Sequence, residues 1–135
     1  MSPLSLRSLP RRCGRAVLLA LALAAGAGAA APVANAHAML LRAAPRVGAV
    51  VDSPPHDIRL SFSEGVEAGL SRVTIFDARG AIMSAGPPAT APGERRILIA
   101  PLRAGLAAGA YKVEWRVVSL DSHVTQGDFD FTVRP

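Results

Sequence analysis

Past residue 36 the chain alternates apolar and polar residues. Over His56–Ser63, Ile58, Leu60 and Phe62 fall on one side and Asp57, Arg59 and Ser61 on the other. Over Tyr111–Ser119, Tyr111, Val113, Trp115 and Val117 interleave with Lys112, Glu114 and Arg116. Over Gly127–Val133, Phe129, Phe131 and Val133 interleave with Asp128 and Asp130. A period of two is the mark of a strand with one buried face. Shorter apolar runs at Ala38–Ala44, Ser71–Asp77 and Arg96–Ala100 read as further strands. Pro45, Arg79-Gly80 and the Pro/Gly-rich loop Gly86–Gly93 punctuate them. No stretch keeps a helical period for three turns. Several short strands with turn signals roughly 8–12 residues apart predict an all-β, Greek-key β-sandwich. Phe62, Trp115, Phe129 and Phe131 are its expected core anchors.

Residues 1–36 follow a different pattern. Arg7, Arg11, Arg12 and Arg15 form a basic stretch without an acid, Ala16–Val33 is uncharged and apolar, and Ala34-Asn35-Ala36 has the small-x-small form that a signal peptidase cuts. The expectation is a cleaved export signal over 1–36 and a functional domain over 37–135, delivered outside the cytoplasm. An uncleaved membrane anchor is the alternative, and Arg11-Arg12 leaves twin-arginine export open beside the general route. Cys13, the single cysteine, departs with the leader. The remaining 99 residues therefore rely on their core, and a domain of that size buries about two-thirds of its unfolded surface. No second long apolar run follows, so no stable membrane insertion is expected after processing.

The charge follows the same division. The 135-residue chain carries a formal net charge of +5, but eleven basic and ten acidic residues remain after the leader. A nearly neutral domain lacks the basic footprint that nucleic acid requires.

The candidate chemistry lies in histidines. His56 follows Pro54-Pro55 and reads as an exposed turn residue. Cleavage after Ala36 would give His37 a free α-amine beside its imidazole, and those two nitrogens can close a six-membered chelate ring on one metal. Asp121 and His123 are two residues apart, a spacing that puts both side chains on one side of an extended chain. Three nitrogens and one oxygen suit Cu(II), whereas Cu(I) prefers thiolate or thioether donors. Only Met39 and Met83 follow the leader.

On these residues the chain resembles the CopC-type periplasmic copper-resistance proteins. The pieces, in the family's order, are His37-Ala38, Ala44-Pro45 with Gly48, Leu60–Glu64 with Val66-Glu67, Gly109–Ser119, Asp121-Ser122-His123 and Gly127–Val133. The resemblance implies a cupredoxin-like or immunoglobulin-like sandwich of seven or more strands binding one Cu(II) per chain. It implies the amine and imidazole of His37, the carboxylate of Asp121 and the imidazole of His123 as ligands, with Glu64 as an outer or axial carboxylate. It also implies a partner, an inner-membrane copper transporter of the CopD type. Some members bind Cu(I) in a methionine-rich loop with a histidine. The matching stretch here, Ala81–Arg95, holds only Met83 and no histidine, so a Cu(II)-only carrier or buffer is expected rather than a chaperone handing on Cu(I), and with a carboxylate in the fourth place of the donor set no enzyme is expected. Two alternatives remain: a histidine-brace copper monooxygenase, and a metal-free immunoglobulin-like interaction module.

Overall fold

A computed structural model describes residues 37–135, which fold into eight strands. They are β1 (Leu40–Ala44), β2 (Val50–Val51), β3 (Asp57–Phe62), β4 (Arg72–Asp77), β5 (Ala89–Ala91), β6 (Glu94–Pro101), β7 (Gly109–Val118) and β8 (Val124–Val133). The export signal expected over 1–36 lies outside the described residues. The only helical element among the described residues is one 3-10 turn, Ala68–Leu70. None of their helices is long and apolar enough to cross a membrane.

Two four-stranded sheets form, one ordered β1-β3-β6-β5 and the other β2-β8-β7-β4. The chain passes between them repeatedly, so each sheet is completed by strands distant in sequence. This is the all-β sandwich that the alternation predicts. The longest ladder pairs β7 with β8 in an antiparallel hairpin, from Gly109 opposite Val133 to Val118 opposite Val124. Its period-two residues point where expected: Val113, Val117 and Phe131 are buried, and Lys112, Glu114 and Arg116 are exposed.

The core lies between the sheets. Ile58, Leu60 and Phe62 of β3 meet Ile75, Val113 and Phe131 of the second sheet, all 2% exposed or less. Burying each such side chain is worth about 1.5–3 kcal/mol relative to leaving it exposed, so this layer holds the sandwich without covalent staples. Tyr111 stacks on Phe131 with ring centroids 5.3 Å apart, and its hydroxyl donates to the carbonyl of Ala107 at 2.6 Å.

Three details differ from the sequence reading. Gly86–Gly93 is not wholly loop, because Ala89–Ala91 pairs with β6 as an edge strand. Val50-Val51, unassigned from sequence, pairs parallel with Thr132-Val133. Trp115 faces the interior but is only half-buried. It meets Phe62 edge-on at 5.4 Å and lies over Gly127.

Candidate metal centre

One end of the sandwich gathers the residues singled out in the sequence. The approach to β1 runs along the end of β3. Ser63 Oγ accepts the N–H of Met39 at 2.9 Å and donates to the carbonyl of His37 at 3.4 Å, and Ser63 N–H donates to the carbonyl of Met39 at 2.9 Å. From the other sheet, Thr125 Oγ1 donates to the carbonyl of Ala38 at 2.8 Å. Ala38 is fully buried, while His37 and Met39 on either side are exposed. His37 is thereby held over the seam between the sheets.

The β7–β8 turn supplies the rest. Ser119 N–H donates to the carbonyl of His123 at 2.9 Å, and Ser122 N–H donates to the carbonyl of Ser119 at 2.9 Å. Ser122 takes φ +71°, a left-handed conformation that costs a non-glycine residue about 1–2 kcal/mol. Asp121 Oδ2 lies 2.9 Å from His123 Nδ1, and Ser119 Oγ donates to Asp121 Oδ1. The sequence reading is corrected in its reason here. Residues 119–123 form a tight turn, so Asp121 and His123 meet because the turn folds back, not because an extended chain alternates.

The turn brings His123 to His37. Their ring centroids are 5.0 Å apart at 58°. His37, Asp121 and His123 therefore share one exposed corner. Glu64 sits between the two segments that build it. Ser63 before it holds Met39, and the carbonyl of Gly65 after it accepts the N–H of Leu120 at 3.0 Å. Among the described residues the Glu64 side chain makes no hydrogen bond or ion pair. His56 is at the opposite end of β3, exposed, with its carbonyl accepting the Leu102 N–H at 3.0 Å.

The chemistry of this corner fits a divalent cation with nitrogen preference. Adjacent donors on a tetragonal ion with bonds of about 2.0 Å lie roughly 2.8 Å apart. Asp121 Oδ2 accepts a hydrogen bond from His123 Nδ1 at 2.9 Å, so the two atoms are already neighbours, and the Nδ1 proton must leave before that nitrogen can bind an ion. The Ser119 hydroxyl, and secondarily the contacts from His123, hold the Asp121 carboxyl below the usual carboxylate range, with desolvation opposing them. The carboxylate is thus kept ionised. Among the described residues no three His, Cys, Asp or Glu side chains already converge as a closed metal cage. His37 enters the corner with its imidazole, and its backbone nitrogen is an amide in the uncut chain. Sequence reasoning missed Ser63, Ser119 and Thr125, whose hydroxyls frame the corner. Their signal was weak, because serine and threonine are ordinary in strand ends and turns.

A CopC domain matches residues 40–134. The chain belongs to the CopC family. The relatives of this CopC chain include Protein YobA of Escherichia coli, 38% identical over 103 residues, which are 76% of this chain and 83% of YobA. The crystal structure of CopC from Methylosinus trichosporium OB3b superposes with a TM-score of 0.69 at 32% identity, covering 73% of this chain and 95% of that one. PcoC, a methionine-rich copper resistance protein from Escherichia coli, superposes with a TM-score of 0.64 at 30% identity, covering 73% and 100%. These CopC structures share the β-sandwich described above. All of the strands that build the corner fall inside the matched domain, and His37 lies three residues ahead of it.

Proposed function

We propose that this CopC domain is an exported Cu(II) carrier or buffer serving copper resistance and homeostasis in the periplasm. One Cu(II) per chain is held by the imidazole and, after removal of residues 1–36, the free amine of His37, together with Asp121 and His123. Glu64 acts as an outer carboxylate that offsets the remaining positive charge. The single observation that supports this most is the meeting of His37 with His123 at 5.0 Å, where Asp121 already stands 2.9 Å from His123.

The role is binding, not catalysis. A carboxylate in the fourth place of the donor set closes the face that an oxygen-activating copper leaves open. Cu(II) is preferred over Cu(I), since the donors are nitrogen and oxygen. Met83 packs against the core, which leaves Met39 as the one exposed thioether after the leader. The partner is an inner-membrane transporter of the CopD type that receives the ion.

The test compares a chain starting at His37 with one that retains Ala36 ahead of it. Titration with Cu(II), followed by visible absorption and EPR, should show one equivalent bound tightly only by the chain starting at His37. The retained residue should weaken binding by at least the roughly 10–100-fold that loss of an outer-shell partner costs. Equal affinity would remove the amine from the site. Absence of binding by both would remove the copper reading. Tight Cu(I) binding at a second site would overturn the oxidation-state preference.

A further inference from the structure

Ser119 is the one buried polar residue among the described residues, 1% exposed in an otherwise apolar layer. Its hydroxyl reaches two acceptors: Asp121 Oδ1, and the carbonyl of His123 at 3.1 Å. A hydroxyl has one proton to give. The His123 carbonyl is already satisfied by the Ser119 backbone N–H at 2.9 Å. The proton therefore goes to the carboxylate, where a charge-assisted bond is the stronger choice. The backbone N–H of His123 points at the same oxygen from 3.4 Å. Both donors act on Oδ1, and Oδ2 is left facing His123 Nδ1 at 2.9 Å.

We infer that Ser119 is a positioning residue that fixes Asp121 through Oδ1, so that Oδ2 is held beside His123 Nδ1, from which it accepts a hydrogen bond, before any metal arrives. The inference rests on the copper-binding reading above and deepens it. Asp121 stands in a turn with exposed neighbours, and an untethered aspartate there would sample several rotamers. The tether comes from the buried side. Ser119 sits at the end of β7, its backbone bridged to Val66 of the facing segment, so the hydroxyl is anchored by the sandwich and not by the loop. The consequence is a carboxylate in which one oxygen belongs to the protein and one to the ligand. This favours one-oxygen coordination and a defined order of donors around the ion.

The experiment is a double-mutant cycle with a metal-free readout. In the metal-free protein, the ¹³C shift of the Asp121 carboxyl and the ¹⁵N shifts of His123 report whether Oδ2 and Nδ1 are held together. Ser119→Ala should average both toward solvent-exposed values, with circular dichroism unchanged. It should weaken Cu(II) binding about 10–100-fold, the range for loss of an outer-shell partner, and alter the EPR hyperfine splitting. In an Asp121→Ala background the same change should weaken binding less than twofold, because Ser119 would then have nothing to position. Ser119→Cys puts a slightly larger side chain with a weaker donor at the same place and should fall between Ser119→Ala and the parent. Unchanged shifts with unchanged affinity and EPR in Ser119→Ala overturn the inference while leaving the copper reading intact. So does an equal loss in both backgrounds, or a Ser119→Cys protein that binds as the parent does. Should the parent bind no Cu(II), the copper reading fails, and the metal-free shifts alone still decide whether Ser119 holds Asp121 to His123.

Discussion

Thr125 Oγ1 donates to the carbonyl of Ala38 at 2.8 Å, joining positions 87 residues apart in the chain. The bond crosses from β8 to the segment that carries His37, and it is partly buried. Thr125→Val keeps the shape and removes the hydroxyl. A net hydrogen bond of this kind is worth about 0.5–1.5 kcal/mol, so thermal denaturation should show a loss of that order. Cu(II) affinity should fall several-fold as His37 loses its fixed approach, measured by competition with a chelator.

The ligand residues should separate in a panel of alanine variants. His123→Ala and Asp121→Ala remove a nitrogen and an oxygen donor, and each should weaken Cu(II) binding by more than about tenfold, or 1.4 kcal/mol. Glu64→Ala should cost less, since its side chain makes no hydrogen bond or ion pair among the described residues. His56→Ala should leave affinity unchanged, because His56 lies at the far end of β3. All four proteins should give the parent's circular dichroism. If His56→Ala abolishes binding while His123→Ala retains it, the site is elsewhere.

Gly127 has no room for a side chain. A Cβ there would stand 2.7 Å from Trp115 Cζ2 and 3.0 Å from Cε2. The indole is wedged edge-on against Phe62 and has little freedom to yield. Gly127→Ala should destabilise the fold by about 1–3 kcal/mol, the usual cost of overpacking. Tryptophan fluorescence should shift as the ring is displaced, since its N–H is buried without a partner among the described residues.

Two groups give the stability a pH dependence of known sign. Asp121 is held below its ordinary range, chiefly by the Ser119 hydroxyl. Its contribution is present above the ordinary aspartate range near 3.9 and is lost as pH falls through the lowered value. The group is exposed, so the effect is small. Removing the hydroxyl in Ser119→Ala should move the Asp121 midpoint upward in an NMR titration. Tyr111 moves the other way: burial first, then the nearby Asp77 carboxylate, raise its phenol above 10.0, and the hydrogen bond to Ala107 opposes them. Its contribution is complete below pH 10 and declines as pH rises through the raised value. Ultraviolet titration at alkaline pH should find the phenol ionising later than free tyrosine.

Much of the sandwich was legible because its long strands bury one face each. In β3, in β7 from Tyr111 and in β8 from Phe129 every second residue is apolar, and burial repeats that pattern. The short strands were not legible. Val50-Val51 and Ala89–Ala91 are too brief to show a period, and their pairing is decided by neighbours distant in sequence. The chemistry at the corner was readable as residue types, while its geometry was not. The proximity of Asp121 to His123 depends on a turn in which Ser122 takes φ +71°, a conformation that serine does not announce. The hydroxyls of Ser63 and Thr125 became meaningful only once two sheets brought them to opposite sides of Ala38.

That arrangement makes the segment from His37 to Met39 a strap across the open end of the sandwich, tied to Ser63 on one sheet and to Thr125 on the other. Contacts so far apart in sequence carry a large loop-closure entropy. Copper captured at the corner would lock the fastening. By mass action, an ion that binds only the completed fold stabilises it by RT ln(1 + [L]/Kd), about 2.7 kcal/mol at a hundredfold excess over Kd. On the proposed copper reading, an ion that needs the free amine of His37 would add this stabilisation only to chains from which residues 1–36 have been removed and in which the strap is tied to both sheets.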